Sequence, residues 1–559
     1  MIKPLKLNDT MITRVAAAST LLLFVYEVYA VGVNYSDYFL YLQDSETIIF
    51  AVIGIVLFLA SFYVFFRAVE FILSASWPYR LVSLLIFATA LFVEYGYQKA
   101  LGRFSTRLDI ESAIGTTTDQ QLATVSMYLN LRAIIPLALL LVLLYFVRPE
   151  KNVALKSFLL TNVLFIALFA ISPMIVDQKF PTISTAAFYR TATDFLINGP
   201  VRNGKWGSGL TGIDLRRREV KKPPVPDDYR PKNNVVVILD ESVRGDHLSL
   251  NGYPRETTPF LSKLNERGIL HNWGIAVAAS TGSRFTFNAL VAGLTPYDFP
   301  DSSELKINTF PTIFQYAKAM NYKVQYFDGQ MHSFWIGIDD DRRFFDSWRG
   351  VLDISEGKEF ETWELDNIIA RKVKTIIAGS TGNFIFVFKH GVHIPYQSNF
   401  PPNQEYWSPS YHTENKFDIP SGSQLPAVAN AYDNGLRYNL DSFFQNLVDD
   451  YSTIPNKTVF VYTGDHGQTL FANGRSSHGG STKEEAGVPL FIVGDIGRPV
   501  DTSYKASHQN IFPTVLDLFE YPDELREFKS APSLLKAKGS DSKPRFFNPD
   551  LGLRVAFDQ

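Results

Sequence analysis

Most of the apolar residues in the first 176 positions are gathered into runs separated by short polar loops, with almost no charge inside the runs. A soluble core rarely takes up several such runs in succession, so they read as membrane spans. Five helices are expected, over 15–33, 48–66, 81–97, 133–147 and 157–176, each near the roughly 17–25 residues that cross a bilayer. A cleaved signal peptide would account only for the first run, and no small-residue cleavage site stands out after it.

Orientation follows from the short loops. Lys3, Lys6 and Arg14 precede the first span, Arg67 and Arg80 lie between the second and third, and Arg148, Lys151 and Lys156 lie between the fourth and fifth. The positive-inside bias makes those sides cytoplasmic, and the loop with Asp37, Asp44 and Glu46 falls outside. Five spans from a cytoplasmic N-terminus send the rest of the chain out of the cytoplasm. The expected topology is therefore multi-pass, with the N-terminus cytoplasmic and the C-terminal domain outside. Glu27 and Glu94 lie within or near span ends, where a carboxylate is costly; a functional role and a headgroup-facing glutamate are both open readings. The loop 99–131, with Arg103 and Arg107, reads as a cover over the outer leaflet.

A chain of 559 residues exceeds one core, which agrees with a division into domains. The net charge of −3 gives no reason to expect nucleic-acid binding. There are no cysteines, so any metal sits on oxygen and nitrogen ligands. Residues 177–234 mix aromatic, basic and proline-rich pieces such as DLRRREVKKPPVPDDYRPKNN, a linker that fits anionic headgroups followed by a stiff tether.

From 235 to 559 apolar runs of strand length alternate with helical stretches: NVVVILDES, YKVQYFDGQ, NFIFVFKHG, TVFVYTGDHG and VPLFIVGD. Such runs suggest a mostly parallel central sheet sandwiched by helices. Polar residues follow four of them directly: Asp240 and Glu241, Asp328, His390 and His393, and Asp465 with His466. Sites in open α/β sheets lie at the carboxyl ends of the strands, so these residues are expected to converge. Asp, Glu and His together suit a divalent metal, with zinc, manganese, calcium and magnesium open. The segment 278–296, AASTGSRFTFNALVAGLTP, offers Ser280, Thr281, Ser283 and Thr286 before a helix. Backbone N–H groups at such a helix start turn toward an anion, although Ser/Thr clusters are also common caps.

LDESVRGDHLSLNGYPRETTPFL, GVHIPY, YTGDHG, SSHGG and SHQNIFPTVLDLF, in that order along the chain, resemble the successive signatures of membrane-bound phosphoethanolamine transferases. Those enzymes belong to the sulfatase-like branch of the alkaline phosphatase superfamily. The resemblance covers nearly the whole chain and implies an alkaline phosphatase/sulfatase-like fold with five N-terminal spans. It implies that Glu241, Asp465 and His466 ligate a divalent metal, zinc first and manganese second, with the nucleophile completing the set. It also implies that His393 and His478 hold the transferred phosphate.

The nucleophile departs from the family pattern, because Ser283, Thr286 and Asn288 reproduce a Thr, Ser, Pro spacing with serine in first place and asparagine in last. Ser283 is preferred, with Thr281 and Ser280 as alternative registers. The family's disulfides are absent too, which leaves the acceptor open. His508 is expected to cap a late helix, His247 to fix a turn and His390 to end a strand. His332 is placed near a neighbouring strand end, while His271 and His412 carry no signal. The resemblance implies a double displacement that moves phosphoethanolamine from phosphatidylethanolamine to an envelope lipid or glycan of the lipopolysaccharide type. Phosphoglycerol transfer, phosphate or sulfate hydrolysis, and a non-catalytic lipid sensor are the rivals.

Overall fold

A computed structural model describes residues 5–33, 35, 48–101, 104–105, 131–149, 183–193, 222–226, 229–299, 311–330, 342–413, 420–449, 456–472, 474, 478–526, 531–539, 544–549 and 553–557. The chain divides into two compact units, Met1–Arg217 and Arg218–Gln559.

The first unit contains the helices Asp9–Tyr26, Ile48–Ser74, Trp77–Leu101, Ile134–Phe146 and Ser184–Thr193, and a short parallel pair, β1 (Leu5–Leu7) and β2 (Val147–Pro149). Asn8 caps the first helix, its side chain accepting from the Met11 amide. Among the described residues, Asp9–Val31 and Trp77–Lys99 are long and apolar enough to cross a bilayer, and Leu131–Tyr145 is a shorter apolar helix. The expected span 48–66 falls within the 27-residue helix Ile48–Ser74, and the expected span 157–176 lies outside the described residues. Leu21, Leu22, Leu59, Leu85 and Leu139 stand exposed on these helices, which suits a lipid surround better than water. Glu27 and Glu94 do not reach headgroups: both are fully buried. Glu27 accepts from the Tyr35 hydroxyl at 2.5 Å and from Ser184, and Glu94 accepts from the amide and hydroxyl of Ser105 at 2.7 and 2.6 Å.

The second unit is built on a seven-stranded sheet in the order β4-β9-β8-β3-β7-β5-β6. Its strands are β3 (Asn234–Asp240), β4 (Leu270–Val277), β5 (Lys323–Asp328), β6 (Ser347–Arg349), β7 (Asn383–Phe388), β8 (Thr458–Gly464) and β9 (Gly487–Val493). Pairing is parallel from β8 through β3, β7 and β5 to β6, and antiparallel where β9 meets β8 and β4. A separate hairpin is formed by β10 (Arg545–Asn548) and β11 (Leu553–Ala556).

The period of two along β7 shows why its run is apolar throughout. Ile385 and Val387 join a core with Val236, Ile238, Phe460 and Tyr462, covered by the helices Leu365–Gly379 and Ser442–Val448. The alternate residues Phe386 and Phe388 meet Phe287 of the helix Ser283–Ala292, and Phe384 and Phe386 meet Phe314. Both faces of the strand are buried, and each such aromatic contributes about 1.5–3 kcal/mol by transfer from water.

Candidate active site

Pairing of Asp240 with Gly464 in the β3–β8 register sets Glu241 beside Asp465, one step beyond the carboxyl ends of both strands. β7 ends at Phe388 and turns through Gly391 toward His393. A side chain at Gly391 (φ +71°) would lie 2.3 Å from the Glu241 carbonyl oxygen, so only glycine admits this approach. β4 ends at Val277 and leads into residues 278–282, bringing the hydroxyl-bearing loop to the same edge.

One donor atom each from Glu241, Asp465 and His466 lies within 4.8 Å of the others, and the same holds for Glu241, His393 and His478. The first three are buried. His466 donates Nδ1–H to the Gly467 carbonyl at 2.9 Å, leaving Nε2 with its lone pair inward. Burial pushes the His466 pKa down to about 3, so the ring is neutral at ordinary pH. Burial, and then the neighbouring Asp465, push the Glu241 carboxyl well above the usual range, and burial raises Asp465 as well. Oδ2 of Asp465 lies 3.2 Å from His466 Nε2 and finds no proton donor there. Two crowded buried carboxylates and an inward lone pair are a donor set that a divalent cation satisfies.

Two side chains that sequence reading passed over orient this set. Ser242 sits at φ 66°, a left-handed conformation sustained by its bonds. Its amide donates to Asp465 Oδ1 at 2.8 Å and its hydroxyl to Glu241 Oε1 at 2.7 Å, while Gln468 Nε2 donates to that hydroxyl at 2.6 Å. The signal was within reach, because Ser242 and Gln468 are polar residues that follow the carboxyl ends of β3 and β8 within a few positions.

The three candidate hydroxyls take different positions. Ser283 opens the helix Ser283–Ala292, with its Oγ 3.0 Å from His466 Nε2 and 3.4 Å from Glu241 Oε2. Ser280 and Thr281 are fully buried. The Ser280 hydroxyl accepts from the Gly282 amide at 3.1 Å, and the Thr281 hydroxyl donates to the Gly480 carbonyl at 2.9 Å. Thr286 donates back to the Ser280 carbonyl at 3.0 Å.

His393 and His478 are partly buried beside Glu241. Each gives Nδ1–H to a backbone carbonyl, that of Ile394 at 2.7 Å and that of Thr281 at 3.1 Å, which in a neutral ring puts the lone pair on Nε2. The rings of His466 and His478 stack with centroids 3.9 Å apart.

Not every strand-end residue converges. Asp240, fully buried, turns away from the Glu241, Asp465 and His466 group to the equally buried Lys389, and also accepts from the Tyr462 hydroxyl at 2.8 Å. Lys389 donates to the Asn439 carbonyl at 2.8 Å and lies 3.8 Å from Asp366, whose carboxylate accepts from the His390 and Gly391 amides at 2.9 Å. Asp328 accepts from the Gln330 amide at 3.0 Å and is outside the cluster. His332 lies outside the described residues. His247 bonds Asp433 at 2.7 Å within a short helical turn. His508 does more than cap: Ser507 and Asn510 form the capping box, while buried His508 accepts from the Ala279 amide at 3.1 Å and contacts the Thr463 hydroxyl at 2.9 Å. His390, His271 and His412 take no part in the cluster.

A model of the Sulfatase family matches residues 233–521. Among curated proteins, the chain is 24% identical over 328 residues to phosphatidylethanolamine transferase Mcr-1 of Escherichia coli, covering 52% of this chain and 54% of that protein. It is 25% identical over 253 residues to phosphoethanolamine transferase EptC of Escherichia coli K12, covering 42% and 40%. The chain spans about half the length of the curated relatives it matches. Among solved structures, the integral membrane lipooligosaccharide phosphoethanolamine transferase A of Neisseria meningitidis matches with TM-score 0.58 at 16% identity, over 93% of this chain and 98% of that one. The C-terminal periplasmic domain of Escherichia coli EptC, in complex with zinc, matches with TM-score 0.50 at 19% identity, over 61% and 96%. These structures share the fold.

Proposed function

The chain belongs to the Sulfatase family and is distantly related to phosphoethanolamine transferases, and on that footing we propose that it moves phosphoethanolamine from phosphatidylethanolamine to an envelope lipid or glycan. The observation that carries this reading is the position of the Ser283 hydroxyl, between His466 Nε2 and Glu241 Oε2 at the start of a helix. A hydroxyl held among metal-type donors is the arrangement expected of a covalent phosphoryl carrier. The headgroup is supported by the names of the relatives.

Glu241, Asp465, His466 and Ser283 would hold the cation, zinc in the first instance and manganese in the second. When bound, it would neutralise charge on the serine oxygen and on the phosphoryl group. Ser283 Oγ would attack the donor's phosphorus, the Oγ–P bond forming as the P–O bond to diacylglycerol breaks. The serine's proton would pass through Nε2 of His478 or His393 to the departing glycerol oxygen, so that diacylglycerol leaves as the neutral alcohol, while the other histidine faces a phosphoryl oxygen. In the second half an acceptor oxygen would bond to phosphorus, the Oγ–P bond would break, and the acceptor's proton would return to Ser283.

On this reading residues 1–176 form a multi-pass anchor in a bacterial inner membrane, 177–234 a tether, and 235–559 a periplasmic catalytic domain. Anchoring makes physical sense for such a donor, because a two-tailed lipid leaves the bilayer only by exposing apolar surface. The test is intact mass after incubation of the full chain with zinc and phosphatidylethanolamine vesicles, with fragmentation to locate the adduct. A phosphoethanolamine increment on Ser283 that disappears in Ser283→Ala is the expected result. An adduct only with phosphatidylglycerol would reassign the headgroup, and none with either lipid would sink the transferase reading.

A further inference from the structure

The hairpin β10–β11 lies beyond the matched segment 233–521, yet it is threaded into the candidate active site. The Thr281 amide donates to the Phe547 carbonyl at 3.2 Å and the Phe547 amide to the Ala279 carbonyl at 2.8 Å, making a parallel bridge between Ser280 and Phe547. The next residue, fully buried Asn548, donates from Nδ2 to the hydroxyl of Ser481. Ser481 is three residues from His478, and its neighbour Gly480 accepts from Thr281. One strand therefore ties together the loop that delivers Ser283 and the loop that delivers His478.

Apolar packing holds the strand there. The Phe547 ring lies 5.0 Å from Phe285 and 5.5 Å from Phe299, and Phe546 and Phe557 pack with Val277 and Ala486. Arg554 on the return strand donates to the Phe299 carbonyl at 2.9 Å. Pro549 sits against Gly282, where an added side chain would come 3.0 Å from its Cγ, so the residue just before Ser283 leaves room at the hairpin for little more than glycine. Edge addition of this kind fixes a loop through backbone bonds, whatever side chains the loop carries.

We propose that Asn548 is a positioning residue for the group transfer, and that through it the C-terminal hairpin holds the Ser283 and His478 loops at their working separation. The proposal rests on the transferase reading for the reaction served, but not for the restraint itself. Neither Asn548 nor Ser481 is placed among the groups that touch the reacting atoms. A displacement of about 1 Å at such a site costs on the order of 100-fold in rate.

The experiment uses the full chain with Asn548→Leu, which keeps the volume but removes the donor, Asn548→Asp, which lets the Ser481 hydroxyl donate instead, and Ser481→Ala. Read-outs are the rate of adduct formation at saturating donor, the donor KM, zinc stoichiometry, and hydrogen exchange of the peptide 278–286. Asn548→Leu is expected to slow adduct formation by roughly 10- to 100-fold with KM and zinc content unchanged, and to speed exchange in that peptide. Ser481→Ala should match it, the double variant should add nothing further, and Asn548→Asp should recover most of the rate. An unchanged rate and unchanged exchange in Asn548→Leu overturn the proposal, as does a rate loss that follows lost zinc. If the unmodified protein forms no adduct, the transferase reading fails, and exchange in 278–286 alone decides: faster exchange in Asn548→Leu supports the restraint and unaltered exchange overturns it.

Discussion

The imidazoles of His466 and His478 stack at 3.9 Å between centroids, although His466 follows a central strand and His478 belongs to a loop braced by Thr281. This contact joins the proposed metal set to the proposed phosphate set. The Ser283 hydroxyl lies beside that contact, 3.0 Å from His466 Nε2.

Ser283→Ala is expected to lower transfer by at least about 1,000-fold, as loss of a nucleophile does. Thr281→Val should cost far less, because its hydroxyl serves the Gly480 carbonyl, a bond worth about 1 kcal/mol. Steady-state rates of the two variants with one lipid donor decide the order; equal losses would contradict it.

Removing the cation should destabilise the fold, since it leaves the buried Glu241 and Asp465 carboxylates side by side. At a free zinc concentration of 1,000 times Kd the bound form gains about 4 kcal/mol. Thermal unfolding with zinc and with a chelator measures this, and identical midpoints would refute the assignment of these residues as ligands.

Lys389 is fully buried between Asp240 and Asp366. Lys389→Met should therefore destabilise the protein by about 3–5 kcal/mol, the cost of leaving buried charge unpaired. Adding Asp240→Asn should recover part of that loss. Denaturant titration of both variants is the check, and a single variant as stable as the unmodified chain would count against the network.

Buried His508 accepts from the Ala279 amide, and burial pushes its pKa down to about 3 from 6.5. A histidine kept neutral in the fold contributes stability that is present above pH 6.5 and lost as pH falls toward 3, at about 1.4 kcal/mol per pH unit within that window. His508→Gln retains an acceptor without titrating. The unfolding midpoint of the unmodified chain should accordingly drop relative to His508→Gln between pH 6.5 and 5, and parallel profiles would show that His508 is not held neutral.

The strand runs of β3, β5, β7, β8 and β9 were legible because burial on both faces leaves a local signature, a largely apolar string ending in polar residues. β4 escaped notice: Asn272 and Gly274 interrupt it, its register shifts between Asn272 and Ile275, and half of it is only partly buried. The Asp328 and Asp240 side chains also looked equivalent to Glu241 along the chain, but one turns back to cap Gln330 and the other pairs with Lys389.

The sequence alone determined the apolar N-terminal runs, the β-strand strings and the order of the Glu241, His393, Asp465, His466 and His478 motifs, all set by neighbours within a few residues. Tertiary structure decided which of three adjacent hydroxyls faces the carboxylates. Thr281 is drawn to Gly480 and held by Phe547, from positions some 200 and 270 residues onward, and Ser283 is left facing His466. Contacts over such separations form only once the sheet has brought the loops together, and no local pattern of side chains encodes them.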